Sequence, residues 1–292
     1  MGHTARTVGA SGPNRVIGGA NTLKWEVRMQ SYTRVASRLS EEEVRRGIEE
    51  LAPWFYPFDL GDGLHTVSAV PPQVEGIFST RQEMVERVVR QHFGERLGAV
   101  DCLDIGCHEG FYSLALARMG ARSVTGLEPR EESLRRAEFI LAATGVPNLE
   151  FRQGQVETLA SEHQVYPLTL FLGVLYHVMD PMLCLRNVGA ATSELCVIET
   201  QVVDEVEGIT EWGSREWTRP YQGILALIDE SGEFNDGNRE TGIAPLVSCP
   251  SPRALEAMLH HAGFRKVEFI RPQDGAYEQH ARGKRVVVAA WK

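Results

Sequence analysis

The stretch from Val100 to Met119 admits few folds. Val100-Asp-Cys-Leu-Asp-Ile105 is an apolar run with embedded acids; it stops at Gly106, and Gly110 follows. Phe111, Leu114, Ala115, Leu116 and Met119 then carry a helical apolar pattern. This reads as a buried strand, a glycine turn and a helix N-terminus, a junction where backbone N–H groups and a helix dipole meet a polar ligand. Ser123-Val-Thr-Gly-Leu-Glu128 reads as a second short strand ending in a carboxylate. An acid ~20 residues beyond such a turn is placed to take ribose hydroxyls. The pair implies an adenosine-containing ligand.

The glycine spacing narrows the ligand further. Gly106-Cys-His-Glu-Gly110 does not complete the Gly-x-Gly-x-x-Gly of a dinucleotide site, and Glu109 would stand near the pyrophosphate. A carboxylate there repels phosphate and tolerates an ammonium or a sulfonium. Asp104-Ile-Gly-Cys-His-Glu-Gly110 resembles the S-adenosylmethionine (SAM) motif of class I methyltransferases. The resemblance implies a Rossmann-like α/β fold with a seven-stranded, mostly parallel sheet whose last strand is antiparallel. It also implies SAM as cofactor and S-adenosylhomocysteine (SAH) as product. Under it, Asp104, Gly106, Cys107, His108, Gly110, Phe111, Glu128 and Pro129 are expected to bind the cofactor.

The rest of the chain supports an α/β reading. Strands at Val100–Ile105, Ser123–Leu127, Leu149–Arg152, Leu168–Leu172 and Leu195–Thr200 alternate with helices, as in a parallel doubly wound sheet. Lys266–Ile270 and Arg285–Trp291 read as closing strands. Ahead of the sheet, Ser40–Leu51 reads as a serine-capped helix and Ser79–Phe93 as another helix, capped by Ser79 or Thr80. The aromatic segment Trp54–Gly63 lies between them. Residues 202–250 lack a clean period but hold Trp212, Trp217 and Tyr221, and are expected to form a lid. The resulting organisation is a mobile basic arm over 1–38, a helical and aromatic cap over 39–97, and a SAM-binding domain over 98–292.

Composition limits partners and compartment. A net charge of −9 gives no overall basic field of the kind that holds nucleic acid, although residues 1–38 are locally basic. No stretch approaches the ~20 apolar residues of a membrane span. The five cysteines show neither zinc spacing nor disulfide density, so reduced thiols in a cytoplasmic protein are expected. His108-Glu109 and His260-His261 are adjacent pairs that do not share a helix face, and no metal is expected.

Further site residues follow the strand ends. Gln155, with Val156 beside it, follows the third strand where its amide can pair with an adenine edge. Leu172 and Gly173 end the fourth strand, and Gly173 lets the backbone pass close to the cofactor. Tyr176 and His177 lie just beyond. His177 is the first candidate for a general base, because imidazole titrates near neutral pH, with His65, Glu199 and Glu211 behind it. Asp180-Pro181 reads as a helix cap. Trp54, Tyr56, Trp212, Trp217 and Tyr221 are candidates for a substrate wall suited to a planar or apolar acceptor.

The SAM motif, Gly173-Val-Leu-Tyr-His177 with Asp180-Pro181, and Ile198-Glu-Thr200 are together similar to the wobble-uridine tRNA (carboxy)methyltransferase family and its bacterial relatives. In that family the tyrosine of the Gly-Val-Leu-Tyr-His run lies in the active site, so the resemblance puts Tyr176 there. Those enzymes share a Trp- and Lys-containing stretch that holds the carboxylate of a carboxylated SAM; Leu64–Met84 contains neither residue. Methyl transfer to a small molecule is therefore the reading preferred here. A tRNA-modifying enzyme and a SAM-binding protein without methyl transfer are the alternatives. Replacing Gly106 by Arg is expected to abolish SAM binding by the purified protein in calorimetry; undiminished heat would refute a cofactor at this turn.

Overall fold

The computed structural model describes residues 39–211, 217–231 and 244–292. The basic arm expected over 1–38, and Trp212, lie outside the described residues.

Ser40 opens helix α1 (Glu41–Glu50) with a capping box, its hydroxyl accepting from the Glu43 N–H while the Glu43 carboxylate accepts from the Ser40 N–H at 2.7 Å. The cap continues through a small hairpin, β1 (Asp59–Gly61) and β2 (Leu64–His65), into helix α2 (Gly76–Phe93). That helix begins before Ser79 and Thr80, the expected caps; Ser79 sits inside the first turn and donates to Gly76 O. The alternating region then runs β3 (Asp101–Ile105), α3 (Phe111–Arg118), β4 (Ser123–Glu128), α4 (Glu131–Thr144), β5 (Leu149–Gln153), β6 (Tyr166–Leu172), α5 (Pro181–Ala191) and β7 (Thr192–Gln201). Asp180 caps α5 as expected, accepting from the Leu183 N–H at 2.9 Å, with Pro181 in the first turn.

The lid region is not without regular structure. It holds an antiparallel pair, β8 (Leu225–Asp229) and β9 (Leu246–Pro250). Helix α6 (Pro252–His261), β10 (Lys266–Ile270), a short α7 (Glu278–Ala281) and β11 (Arg285–Trp291) close the chain. Ser251 precedes α6 but makes no capping bond. Its hydroxyl accepts from the Ile224 N–H at 3.1 Å and donates to Glu205 at 3.1 Å, tying the insertion to the helix start.

Seven strands pair in the order β10-β11-β7-β6-β3-β4-β5. All neighbours are parallel except β11, which runs antiparallel to both β7 and β10. Chain order reverses at β3, whose partners are β4 on one side and β6 on the other, so a crevice opens beyond the C-terminal ends of these strands. Alternate strand residues feed opposite faces. Cys102, Leu168 and Leu170 join a cluster with Val44, Trp54 and Met84, whereas Leu103, Ile105 and Phe171 join one with Leu185, Leu255 and Phe264. The cap thus shares its core with one face of the sheet.

Trp54 belongs to that core and not to a substrate wall. It is 2% exposed, packs on Phe58 and Phe139, and donates its indole N–H to Ile48 O at 2.9 Å. Trp54→Ala is expected to cost about 3–5 kcal/mol of stability, measured as a fall in the urea midpoint.

Candidate active site

A cavity of about 500 Å³ occupies the crevice. One wall is the turn after β3, where Ile105, Gly106 and His108 line it. The N–H groups of Gly106 and Cys107 both donate to Leu127 O, at 2.8 and 3.0 Å, so β4 holds the turn in place. Gly106 has φ of 71°, and a Cβ there would stand 2.4 Å from the Val174 side chain. Glu128, at the end of β4, accepts from the His108 N–H at 2.9 Å and from Arg130 Nε at 2.7 Å. Pro129 and Arg130 continue this wall.

A second wall follows β5, where Gly154, Gln155 and Val156 face the same space. Leu172 and Gly173 form the floor at the end of β6, with Tyr176 and His177 from the next turn. The cap closes the remaining side with Phe55, Tyr56, Val70, Val74, Ile77 and Phe78. Gly106, His108, Glu128, Pro129, Gln155, Val156, Leu172, Gly173, Tyr176, His177 and Tyr56 are therefore brought together from scattered positions.

Other expected site residues lie elsewhere. Asp104 is 2% exposed beneath the turn, accepting from the Ser113 hydroxyl at 2.6 Å. Cys107 is buried, and burial pushes its thiol well up, so it stays protonated. Gly110 starts α3 in a left-handed conformation against the Phe151 ring, and Phe111 stacks on Tyr56 at 4.8 Å. His65 and Glu211 are exposed and do not line the cavity. Trp217 is 62% exposed and Tyr221 packs on Gly208; neither reaches the cavity. The insertion reaches the cavity with Ala244 and Pro245 instead. Of the expected substrate wall, Tyr56 lines the cavity.

Glu109 also differs from its expected place beside the ligand. Its carboxylate accepts from the backbone N–H of Phe55 at 3.0 Å and of Tyr56 at 3.2 Å, and pairs with Arg136 at 3.7 Å. It fastens the cap to the turn.

Glu199 lies fully buried behind the floor. Arg285 Nη1 reaches its carboxylate at 3.0 Å, Arg81 Nη2 at 3.2 Å and His280 Nε2 at 3.5 Å. Burial would raise the Glu199 carboxyl, but Arg285 and Arg81 outweigh it and hold it well below the usual carboxylate range. It is permanently ionised, which suits an anchor and not a proton acceptor. Arg285 also donates to Tyr176 Oη at 3.1 Å, and its guanidinium lies 5.0 Å from the Tyr176 ring centre. Both arginines line the cavity. Arg81 was legible as a cation on the apolar face of α2, between Ile77 and Met84; Arg285 opens an otherwise apolar strand.

A sulfonium nucleoside fits these walls. The glycine turn leaves no room for a Cβ at Gly106, Glu128 offers a carboxylate beside it, and Gln155 lies across the cavity. Residues 98–231 match the family model described as a methyltransferase domain. The chain carries a SAM-dependent methyltransferase domain. It is 26% identical over 235 residues to a tRNA U34 carboxymethyltransferase of Wolinella succinogenes, covering 78% of this chain and 72% of that protein. It is 34% identical over 113 residues to a ubiquinone biosynthesis O-methyltransferase of Methylobacterium nodulans, covering 37% of this chain and 45% of that one. Among solved structures, the N-terminal domain of EvdMO1, determined in the presence of SAH and D-fucose, superposes with a TM-score of 0.65. That match has 26% identity and covers 88% of this chain and 99% of that domain. The seven-stranded sheet with its antiparallel strand is thus the class I arrangement, and the cofactor is SAM. Among the described residues no helix is long and apolar enough to cross a membrane.

Burial pushes the Asp104 carboxyl up from 3.8 to about 6, against hydrogen bonds from Ser113 that pull it down. The native state therefore binds this proton more tightly than the unfolded chain, and stability falls as pH rises from about 4 through about 6. Asp104→Asn keeps an acceptor for Ser113 without the buried charge. It is expected to gain up to about 3 kcal/mol over the parent at pH 8 relative to pH 4; thermal unfolding at the two pH values measures the difference.

Proposed function

We propose that this domain transfers the methyl group of SAM to a hydroxyl of a small, oxygen-rich acceptor. The observation that carries the reading is the floor of the cavity. Donors from Arg285, Arg81 and Tyr176 converge there beside the His177 imidazole, while the cap supplies an apolar wall. Such a surface suits an acceptor with several oxygens and one apolar face, as a deoxysugar has. The EvdMO1 domain, crystallised in the presence of D-fucose, supports the same class of acceptor.

Bound SAM supplies an electrophilic methyl group on a sulfonium. The chain's own residues then hold and align. Glu128 is placed to take ribose hydroxyls once Arg130 yields part of the carboxylate, and Gln155 to pair with an adenine edge. The Gly106–His108 backbone closes on the remaining end. Arg285 and Tyr176 would fix an acceptor oxygen, and Phe55, Phe78 and Ile77 exclude water from the reacting atoms. His177 would take the hydroxyl proton; burial pushes its imidazole below the ordinary value, against the pull of Glu230, which favours the neutral form a base needs.

A second reading is a tRNA-modifying enzyme, favoured by the Wolinella relative, which aligns with 78% of this chain. Incubation with SAM and separate pools of hexoses, sugar nucleotides and bulk tRNA distinguishes the two. A small acceptor heavier by one methylene, with SAH formed in equal amount, is the expected result. Label appearing only in tRNA, with binding that weakens steeply as salt rises, would replace the first reading with the second.

A further inference from the structure

Beside the cavity, the insertion between β7 and α6 sets one carboxylate against His177. Glu230 Oε2 lies 3.3 Å from His177 Nδ1. The two side chains are 17% and 16% exposed, so the pair is half withdrawn from solvent. Neither end is on a loose segment. The Glu230 N–H donates to Pro245 O at 2.8 Å, extending the β8–β9 ladder one residue beyond the Asp229–Leu246 pair. The His177 N–H donates to Val174 O at 2.8 Å, closing the short turn Leu175–His177.

The geometry points to Glu230 as a positioning residue that holds His177 in the Nδ1–H tautomer, so that the bare Nε2 is the atom offered to the acceptor hydroxyl. This inference rests on the hydroxyl-methylating reading above. A neutral imidazole has one protonated and one bare nitrogen, and the hydrogen bond made by the first decides which is which. A carboxylate accepts only, so it selects Nδ1–H and stabilises the imidazolium that forms later. Nε2 makes no hydrogen bond with the described residues. The separation is long for a charge-assisted bond, as is common before substrate closes a site.

The proton balance is complete with these groups. As the acceptor oxygen bonds to the methyl carbon, the carbon–sulfur bond breaks and its electron pair stays on sulfur. The hydroxyl proton passes to His177 Nε2, and the positive charge moves from sulfur to the imidazole beside Glu230. The other charges that face His177 are Arg285, on β11, and Arg130, after β4; both disfavour the imidazolium, and Tyr176 packs on its ring at 4.1 Å. Glu230 is thus the one group among these that favours proton uptake.

The test is long-range ¹H–¹⁵N correlation of the histidine rings in the full chain loaded with SAH, titrated over pH, with His177→Asn assigning the signal. Wild-type His177 is expected to show a protonated Nδ1 and a bare Nε2 at neutral pH. Glu230→Gln, which keeps an acceptor oxygen but no charge, should retain that tautomer and lower the imidazole pKa. Glu230→Ala should lose the tautomer preference as well. An Nε2–H tautomer in the wild type, or a titration indifferent to both substitutions, would overturn the assignment. The acceptor screen reads independently: methylated product with an Nε2–H tautomer sinks the dyad and leaves the reaction standing. The expected tautomer with no methylated acceptor supports the pairing and removes the reaction it was inferred to serve.

Discussion

One buried carboxylate holds the site together. Glu199 on β7 receives Arg81 from helix α2 and Arg285 from the start of β11, segments 118 and 86 residues away in sequence. An ion cluster taken out of water is costly to assemble and costlier to leave half made, because each group lost strands a charge. The cap, β7 and the last strand must therefore arrive together for any of them to be satisfied. The same arginines line the cavity, so the contact that closes the fold also gives the floor its charge.

The acids of the cofactor region divide their tasks by position. Glu128 ends β4 and supports the glycine turn through the His108 N–H, with its second oxygen on Arg130. Glu109, on the turn itself, points away from the cavity and binds backbone of the cap. Asp104 lies one layer deeper on Ser113. Three carboxylates around the turn thus hold the turn itself, a neighbouring segment and a helix start.

Much of the sheet was legible from pattern alone, since strands buried on both faces read as short apolar runs between glycine turns and amphipathic helices. The residues at their C-terminal ends were legible too: once β3, β4, β5 and β6 are placed, Gly106, Glu128, Gln155 and Gly173 must share one edge. What escaped depends on pairings distant in sequence. β8 exposes Leu225, Leu227 and Ile228, so it shows no alternation to read, and Glu230 beyond it carries no local mark of a partner at His177. Trp217 and Tyr221 looked like site residues because aromatics commonly cover ligands, but neither reaches the cavity. Arg81 and Arg285 left a trace, each being a cation set among apolar neighbours.

The clasp of Glu109 on the N–H groups of Phe55 and Tyr56 has a thermodynamic corollary. Arg136 extends it, donating to Leu51 O at 2.8 Å while pairing with Glu109, so one short stretch of cap is gripped from the turn and from α4 at once. Rim and hearth of the crevice then melt as a single cooperative unit, since loosening either orphans the other's buried donors. Whatever occupies the hollow must lend its binding energy to residues far from its own atoms, and slow amide exchange would spread outward from the turn into α1.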